Sequence, residues 1–267
     1  MEEIIQSLIL GIVQGLTEFL PVSSSGHLEI SKYLLGDESL AEESLAMTVA
    51  LHVATALSTV VVFRKEIVEL FREFSWGTNN ESKNYFLKII ITMVPAGFIG
   101  FFFEDSMAVL FDGKLLLVGA MLLITATLLF IVDMIKTNDR KVSFRDSVII
   151  GLAQAVALLP GISRSGSTIC TALILNIKRE EAARFSFLIV LPLILGKGFL
   201  DSVEMIRGDY ALQESLGALT VGFAAAFITG IIACKWMIAL VKSANLKWFG
   251  FYCLLLGFGL ISYNLFF

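Results

Sequence analysis

Two polar segments of the chain hold the residues whose types and spacing could do chemistry. The first begins at Gln14 and Glu18 and ends in Val-Ser-Ser-Ser-Gly-His at residues 22–27. The second begins at Gln154 and ends in Ile-Ser-Arg-Ser-Gly-Ser at residues 162–167. Hydroxyls, a guanidinium, a His and backbone N–H groups at Gly-rich turns bind anions, and a nearby carboxylate can hold a metal ion. Together the two segments predict a site for a phosphate-like anion.

Equivalent residues of the two segments lie 140 positions apart in a chain of 267 residues. The matched pairs are Gln14 and Gln154, Ser23 and Ser163, Ser25 and Ser165, and Gly26 and Gly166. In both copies an apolar helix too short to cross a bilayer leads into a Pro and then a Gly- and Ser-rich stretch. This pattern is typical of a hydrophobic segment that is broken to line a polar cavity at membrane depth. We therefore predict a single integral membrane domain over residues 1–267, with repeats at about 1–139 and 141–267.

Gln14 and Glu18 share one face of the first short helix because they are four residues apart. A carboxylate at the centre of a lipid-facing helix costs about 2.5 to 3.5 kcal/mol on insertion scales, so we expect Glu18 to face a wet cavity and to have a cationic partner. A divalent metal ion is one such cation. One carboxylate, one amide oxygen and phosphate oxygens suit Mg²⁺ or Ca²⁺ better than zinc. Gln14 and Glu18 are therefore the predicted metal ligands.

The turn after this helix carries Ser23, Ser24, Ser25, Gly26 and His27. Gly permits a bend that presents N–H groups to an anion, the hydroxyls donate further hydrogen bonds, and His acts as a nucleophile or proton donor near neutral pH. A run of Ser and Gly alone is more typical of a loop or a helix cap, and the second copy is what favours a functional interpretation. Whether Ser24, His27 or an activated water attacks stays open.

Arg164 lies between Ser and Gly residues at the end of the second apolar run. A guanidinium at membrane depth is costly unless it binds an anion, and its planar fork matches phosphate oxygens. Thr168 begins the next apolar stretch, where N–H groups at a helix N-terminus can point at the same anion. In the ligand-free protein Arg164 could instead pair with Glu18 and join the two halves, and a ligand could then replace the carboxylate.

The composition makes a membrane the expected environment. Hydrophobic residues make up 57% of the chain, charged residues 16%, and the mean hydropathy is +0.83, whereas soluble domains average about 45 to 50% apolar and about 25% charged. The predicted fold is an all-α polytopic membrane protein with two broken or re-entrant helical hairpins and about six transmembrane helices. The six apolar segments lie at 45–63, 85–103, 115–135, 185–200, 214–234 and 248–267.

The loop charges predict how the chain is oriented. If each broken element enters and leaves on one side, three crossings separate the two copies, and the repeats are inverted in topology. The same assignment places 15 of the 20 basic residues on one face and four on the other, with Arg164 as the remaining one. By the positive-inside tendency the basic face is cytoplasmic, so both termini and the mouth of the first motif are predicted to lie outside. The three Cys residues have no paired spacing, which predicts buried thiols.

The two motifs resemble the signature regions of a known enzyme family. Gln-x-x-x-Glu at 14–18, Phe-Leu-Pro-Val-Ser-Ser-Ser-Gly-His at 19–27 and Pro-Gly-Ile-Ser-Arg-Ser-Gly-Ser-Thr at 160–168 are similar to those of the undecaprenyl-diphosphate phosphatases of the bacitracin-resistance type. The resemblance extends over essentially the whole chain. It implies a bacterial plasma (inner) membrane hydrolase that converts undecaprenyl diphosphate to undecaprenyl phosphate and inorganic phosphate. That reaction recycles the carrier lipid for cell-wall synthesis and gives bacitracin resistance, with the site opening to the outer side.

The resemblance also implies residue roles and partners. Glu18, Ser24, His27 and Arg164 would be catalytic, and Gln14 and Glu18 would hold a divalent cation, Mg²⁺ or Ca²⁺, or orient water. The residues that it assigns to binding the diphosphate are Ser23, Ser25, Gly26, Gly161, Ser163, Ser165, Gly166 and Thr168. The expected partners are a polyprenyl diphosphate lipid and the bilayer, with no nucleic acid. A homodimer stays open, because Gly-rich helix faces pack within one chain as readily as between chains.

Two other classes of membrane protein share some of these features. Lipid phosphatases of the acid-phosphatase type carry a nucleophilic His six residues after the motif Arg, where this chain has Cys170. A transporter or flippase of a phosphorylated lipid or anion would use the same inverted repeats and midplane site. Hydrolysis is favoured because a carrier needs no nucleophile. His52, in the middle of the next apolar helix, is predicted to be an interior group bonded to a neighbour.

Overall fold

The structure is a computed structural model that describes residues 1–34, 45–74, 80–103, 114–135, 139–207, 215–243 and 245–266. Within these residues the regular secondary structure is helical, apart from one isolated bridge between Arg140 and Ile177. The eleven helices described are α1 (Glu2–Thr17), α2 (Ser24–Leu34), α3 (Leu45–Val62), α4 (Arg64–Glu73), α5 (Glu81–Phe102), α6 (Leu115–Asp133), α7 (Phe144–Val156), α8 (Arg164–Ile174), α9 (Arg179–Arg207), α10 (Leu216–Lys242) and α11 (Lys247–Phe266). Several loop charges used for the orientation, such as Lys136 and Asp209, lie outside the described residues.

Five of these helices, α5, α6, α9, α10 and α11, are long and apolar enough to cross a membrane. A sixth candidate is the pair α3 and α4, which together pass the same test but are bent by 72° at Phe63. These helices correspond to the six apolar segments that the sequence predicts, although α9 extends beyond its predicted segment at both ends and α10 at its C-terminal end by several residues. The prediction of an all-α polytopic membrane protein is confirmed.

The two motif-bearing segments fold as matching pairs of short helices. Helix α1 has 16 residues and α7 has 13, and each ends shortly before a Pro, which restricts its neighbour and removes a backbone donor. Helices α2 and α8 both have 11 residues and begin at positions 140 apart. A Ser side chain caps the N-terminus of each of these helices. Ser23 Oγ accepts from Gly26 N at 3.3 Å, and Ser163 Oγ accepts from Gly166 N at 3.1 Å, which satisfies one free N–H group in each first turn.

The two halves of the chain exchange packing partners. Helix α1 packs against α10, and its counterpart α7 packs against α5. Helix α3 likewise packs against α10, and α9 packs against α5. The remaining large contacts join counterparts directly, α3 with α9 and α6 with α11. Each half therefore covers the short first helix of the other half, and neither half could bury that helix alone.

Glycines allow the exchanged helices to approach closely. A Cβ atom added at Gly11 of α1 would lie 2.4 Å from the carbonyl oxygen of Gly222 on α10. A Cβ atom at the counterpart Gly151 would lie 2.7 Å from the carbonyl oxygen of Thr92 on α5. Real side chains do not reach such distances, so backbone contact between these helices requires Gly at both positions.

This packing predicts which glycines the fold cannot lose. Gly11→Ala and Gly151→Ala should each destabilise the protein by about 1 to 3 kcal/mol, because the added methyl group forces backbone apart. Gly259→Ala is the matched control, since nothing lies within 4 Å of a Cβ at that position. Thermal unfolding of the detergent-solubilised variants measures the difference. Equal melting temperatures for all three variants would contradict the close approach.

Candidate active site

Glu18 is the residue on which the two motifs converge. It directly follows α1 and its side chain is only 7% exposed. Its Oε2 accepts from Gln14 Nε2 at 3.0 Å and from Ser24 Oγ at 2.8 Å. Its Oε1 accepts from Arg164 Nη2 at 2.5 Å. One carboxylate thus joins the end of α1 to the first residues of α2 and α8.

The cationic partner expected for Glu18 is Arg164 in this ligand-free structure. The ion pair leaves polar atoms of both motifs unused. Arg164 Nη1 and Gln14 Oε1 are buried and have no hydrogen-bond partner among the described residues. Buried polar atoms are nearly always paired in native proteins. These two atoms therefore mark places where a ligand or an ion can bind.

Unusual backbone angles set up the turn before each short helix. Ser23 has φ of 71°, and Gly161 has φ of 93°. The strained Ser23 is held by a hydrogen bond from His27 Nδ1 to its carbonyl oxygen at 2.8 Å. At the second turn Thr125 Oγ1 donates to the Gly161 carbonyl at 3.2 Å and accepts from Ser163 N at 3.1 Å. The first bend is therefore held by a local hydrogen bond, whereas the second is fixed by a tertiary contact with Thr125.

The hydroxyls of the second motif bind protein groups. Ser163 Oγ lies 3.2 Å from Ser165 Oγ, and Ser165 Oγ donates to the Leu20 carbonyl at 3.2 Å. Thr168 Oγ1 lies 2.5 Å from the hydroxyl of Ser186 on α9 and 2.9 Å from the Arg164 carbonyl. In the ligand-free protein these buried side chains connect the two motifs and α9, and their assignment to the diphosphate stays a prediction.

His27 faces away from this carboxylate. Because a carbonyl only accepts, Nδ1–H donates to the Ser23 carbonyl oxygen, and Nε2 forms a hydrogen bond with the Tyr252 hydroxyl at 2.7 Å. The ring also stacks on Tyr252 of α11 with centroids 5.6 Å apart. His27 does not line the cavity described next. Its predicted part in the reaction stays untested, and its contacts here hold the first bend.

A cavity of about 530 Å³ opens beside the ion pair. Of the predicted site residues, Glu18, Ser24, Ser25 and Arg164 line it, whereas the others are not among its lining residues. The wall is largely apolar, with side chains from α2, α3, α5, α7 and α9, and besides Glu18 and Arg164 it includes the charged residues Glu29, Lys197 and Asp201. Lys197 and Asp201 form a second ion pair at 2.6 Å. The apolar lining residues include Leu28, Val49, Ala96, Leu158, Ile162, Val190, Leu193 and Ile194. Such a cavity suits a ligand that has a charged head and an apolar chain.

Six polar lining residues were not among the predicted site residues, namely Glu29, Thr48, His52, Gln154, Lys197 and Asp201. His52 donates from Nδ1 to the Thr48 carbonyl at 2.8 Å, which is the interior bond expected of it, yet its ring lines the cavity and interacts electrostatically with Glu18. Gln154 lines the cavity from α7 and is 2% exposed. Two features of the sequence could have identified His52 and Gln154. His52 is an ionisable group in the middle of an apolar segment, and Gln154 is the repeat counterpart of Gln14.

The donor set allows a test of the predicted metal. Gln14 Oε1 is an unpaired oxygen on the residue that contacts the Glu18 carboxylate, and oxygen donors are those that Mg²⁺ and Ca²⁺ prefer. Across the part of the chain that the structure describes, no group of three or more His, Cys, Asp or Glu side chains could hold a metal ion. The residues therefore fit a hard cation only if ligand oxygens complete its coordination shell.

Comparison with known proteins agrees with this site. The family model described as "Bacitracin resistance protein BacA" matches residues 7–259. The chain is 52% identical to the undecaprenyl-diphosphatase of Christiangramia forsetii, with 98% of each chain covered, and 49% identical to that of Parabacteroides distasonis, with 97% of this chain and 98% of the relative covered. It is 39% identical to undecaprenyl-diphosphatase 1 of Bacillus cereus, with 95% of each covered. Both motifs fall inside the matched region, so the chain belongs to the BacA family of bacitracin resistance proteins.

Proposed function

We propose that this protein hydrolyses undecaprenyl diphosphate to undecaprenyl phosphate and inorganic phosphate, and so recycles the carrier lipid for cell-wall synthesis. The observation that carries the proposal is the pairing of Glu18 with both Ser24 and Arg164 on the wall of an amphipathic cavity. The polar end suits a diphosphate and the apolar walls suit a prenyl chain. The relatives that align over nearly their whole length are named undecaprenyl-diphosphatases, which supports the same substrate.

Substrate binding would exchange one anion for another at Arg164. The guanidinium is neutralised by Glu18, while its Nη1 has no hydrogen-bond partner among the described residues. A phosphate group offers two oxygens to the same planar fork and replaces the carboxylate. The exchange leaves Glu18 beside the Ser24 hydroxyl without its cation, ready to accept a proton.

The chemical step is attack on the terminal phosphorus. Ser24 Oγ already donates to Glu18 Oε2 at 2.8 Å, so Glu18 is placed to take the proton of Ser24, or of a water in its place, as the new P–O bond forms. The bond from that phosphorus to the bridging oxygen breaks, and undecaprenyl phosphate leaves. If Ser24 attacks, water then releases phosphate from the phosphoserine. The cavity position favours Ser24 or water over His27, whose two ring nitrogens bind Ser23 and Tyr252.

A divalent cation, Mg²⁺ or Ca²⁺, belongs to the proposal as a cofactor. Glu18 and the carbonyl oxygen of Gln14 would hold it together with oxygens of the diphosphate. When bound it would supply positive charge against the negative charge of the phosphoryl group.

We also propose that the two repeats are inverted and that the site opens to the outer side of the bacterial plasma membrane. The exchange of packing partners, α1 on α10 and α7 on α5, is what a two-fold relation between the halves produces. The distribution of basic residues between the two faces supports a site that opens to the outer side. Flipping or transport of a phosphorylated lipid is the alternative function, since interlocked repeats with broken helices also suit alternating access. Phosphate release by the purified protein distinguishes hydrolysis from transport.

The first prediction concerns the guanidinium fork. Arg164→Lys keeps the charge but loses bidentate binding, so turnover should fall by about two to three orders of magnitude, as for loss of one transition-state donor. Phosphate release from undecaprenyl diphosphate and thermal unfolding are both measured, and the melting temperature shows that the variant folds. Arg145→Lys, at an exposed position on α7, is the matched control. Near-normal turnover of the Arg164 variant would refute the assigned role.

A second prediction concerns Glu18 and the metal. Glu18→Gln should cut turnover and weaken any dependence on added Mg²⁺ or Ca²⁺, because the carboxylate is both the proposed base and the charged ligand. Glu2→Gln, on the exposed first turn of the same helix, should leave both unchanged. Activity is titrated against each cation and against a chelator. A wild-type enzyme that stays fully active in excess chelator would remove the metal from the mechanism.

Orientation gives a third prediction. In a chain whose three buried cysteines, Cys170, Cys234 and Cys253, have been replaced, a cysteine placed at one of residues 139–143, just before α7, should be shielded from an impermeant thiol reagent in intact cells. A cysteine near Asp209 should be labelled. Both should react after the cells are permeabilised, which controls for burial. The reverse pattern would overturn the proposed direction of the site.

A further inference from the structure

Gln154 has an unsatisfied side-chain amide at the cavity. The residue lies on α7, is 2% exposed, and lines the same cavity as Glu18 and Arg164. Neither its Nε2 nor its Oε1 has a hydrogen-bond partner among the described residues. A buried amide that loses its hydrogen bonds to water and gains none is unfavourable, and native proteins rarely keep one without a reason.

Comparison with Gln14 indicates what Gln154 lacks. Gln14 Nε2 donates to Glu18 Oε2, four residues further along, at 3.0 Å. Four residues after Gln154 the chain has Leu158, which also lines the cavity. The second repeat thus has the amide without the carboxylate that pairs with the amide nitrogen of its counterpart. The missing partner must come from outside the repeat.

We propose that Gln154 binds the diphosphate of the substrate. Its Nε2 donates to a non-bridging phosphate oxygen, and its Oε1 accepts from a water molecule beside the phosphoryl group. Glu18 only accepts hydrogen bonds and Arg164 only donates them, whereas an amide does both and so suits a hydrated phosphate. The amide atoms are buried, so this contact requires the side chains that line the cavity beside Gln154 to move when the phosphate replaces Glu18 at Arg164. This inference rests on the function proposed above.

The test uses Gln154→Met in the full-length, detergent-solubilised protein. Methionine matches glutamine in length and volume and removes the unpaired amide, so the ligand-free melting temperature should stay equal or rise. The kcat/KM for undecaprenyl diphosphate should fall about 10- to 100-fold, which corresponds to the loss of about 1.4 to 2.8 kcal/mol of binding to a charged group. Gln154→Glu should lower it further, since it adds a negative charge beside the phosphate.

Controls separate binding from structure. Gln6→Met removes an amide of α1 that does not line the cavity, and it should change neither kcat/KM nor melting temperature. Inorganic diphosphate should raise the melting temperature of the wild-type protein and of the Gln6 variant, and have a smaller effect on the Gln154 variant. A structural role for Gln154 would instead lower its ligand-free melting temperature and leave the response to diphosphate intact.

The outcomes distinguish this inference from the proposed function. A hydrolysing wild type together with a Gln154→Met variant of equal kcat/KM would refute the role of Gln154 and leave the hydrolase standing. A wild type that releases no phosphate, yet is stabilised by diphosphate through Gln154, would support the binding role and refute hydrolysis. A lowered melting temperature with unchanged response to diphosphate would also refute the binding role.

Discussion

The ion pair between Glu18 and Arg164 is the interaction on which the rest of the site depends. The two residues are 146 positions apart, and both are largely buried. Charges of this kind are tolerated at membrane depth only when they are paired or reach water, because desolvation is costly. Breaking the pair by removing one partner would leave a buried charge. The pair therefore requires that the end of α1 and the beginning of α8 meet, and it places Ser24 at the same carboxylate.

The repeated scaffold carries different chemistry in its two copies. The helix starts are alike, with Ser23 and Ser163 capping α2 and α8 through the same hydrogen bond. The residues that face the cavity differ between the copies. Ser24 of the first copy corresponds to Arg164 of the second, and Glu18 corresponds to Leu158. One copy supplies the carboxylate and hydroxyl and the other supplies the cation. A duplicated framework thus produces one site rather than two, because opposite charges meet at its centre.

The same arrangement accounts for the polar groups that the ion pair does not use. Gln14 Oε1 and Arg164 Nη1 are buried without partners in the described residues, as are both amide atoms of Gln154. Arg164 and Gln154 line one cavity whose wall is mostly apolar, and Gln14 contacts Glu18 of the same wall. Unsatisfied polar atoms grouped in this way favour a site prepared for a polar ligand over a packing fault. The proposed lipid diphosphate has the two chemical parts that such a cavity requires.

The amino-acid sequence by itself determined the environment, the repeat and the composition of the site. Apolar segments predict membrane helices because the thickness of the bilayer fixes their length. The 140-residue offset identifies both motifs and predicts that α2 and α8 begin at equivalent positions. Only the tertiary structure decided which motif residues reach the cavity. The His27 ring contacts Tyr252 and does not line the cavity, and the Ser163 and Thr168 hydroxyls form hydrogen bonds with protein groups. His52 and Gln154 line the cavity instead. Side-chain direction at a broken helix depends on bends held by distant groups such as Thr125, and no local pattern encodes those contacts.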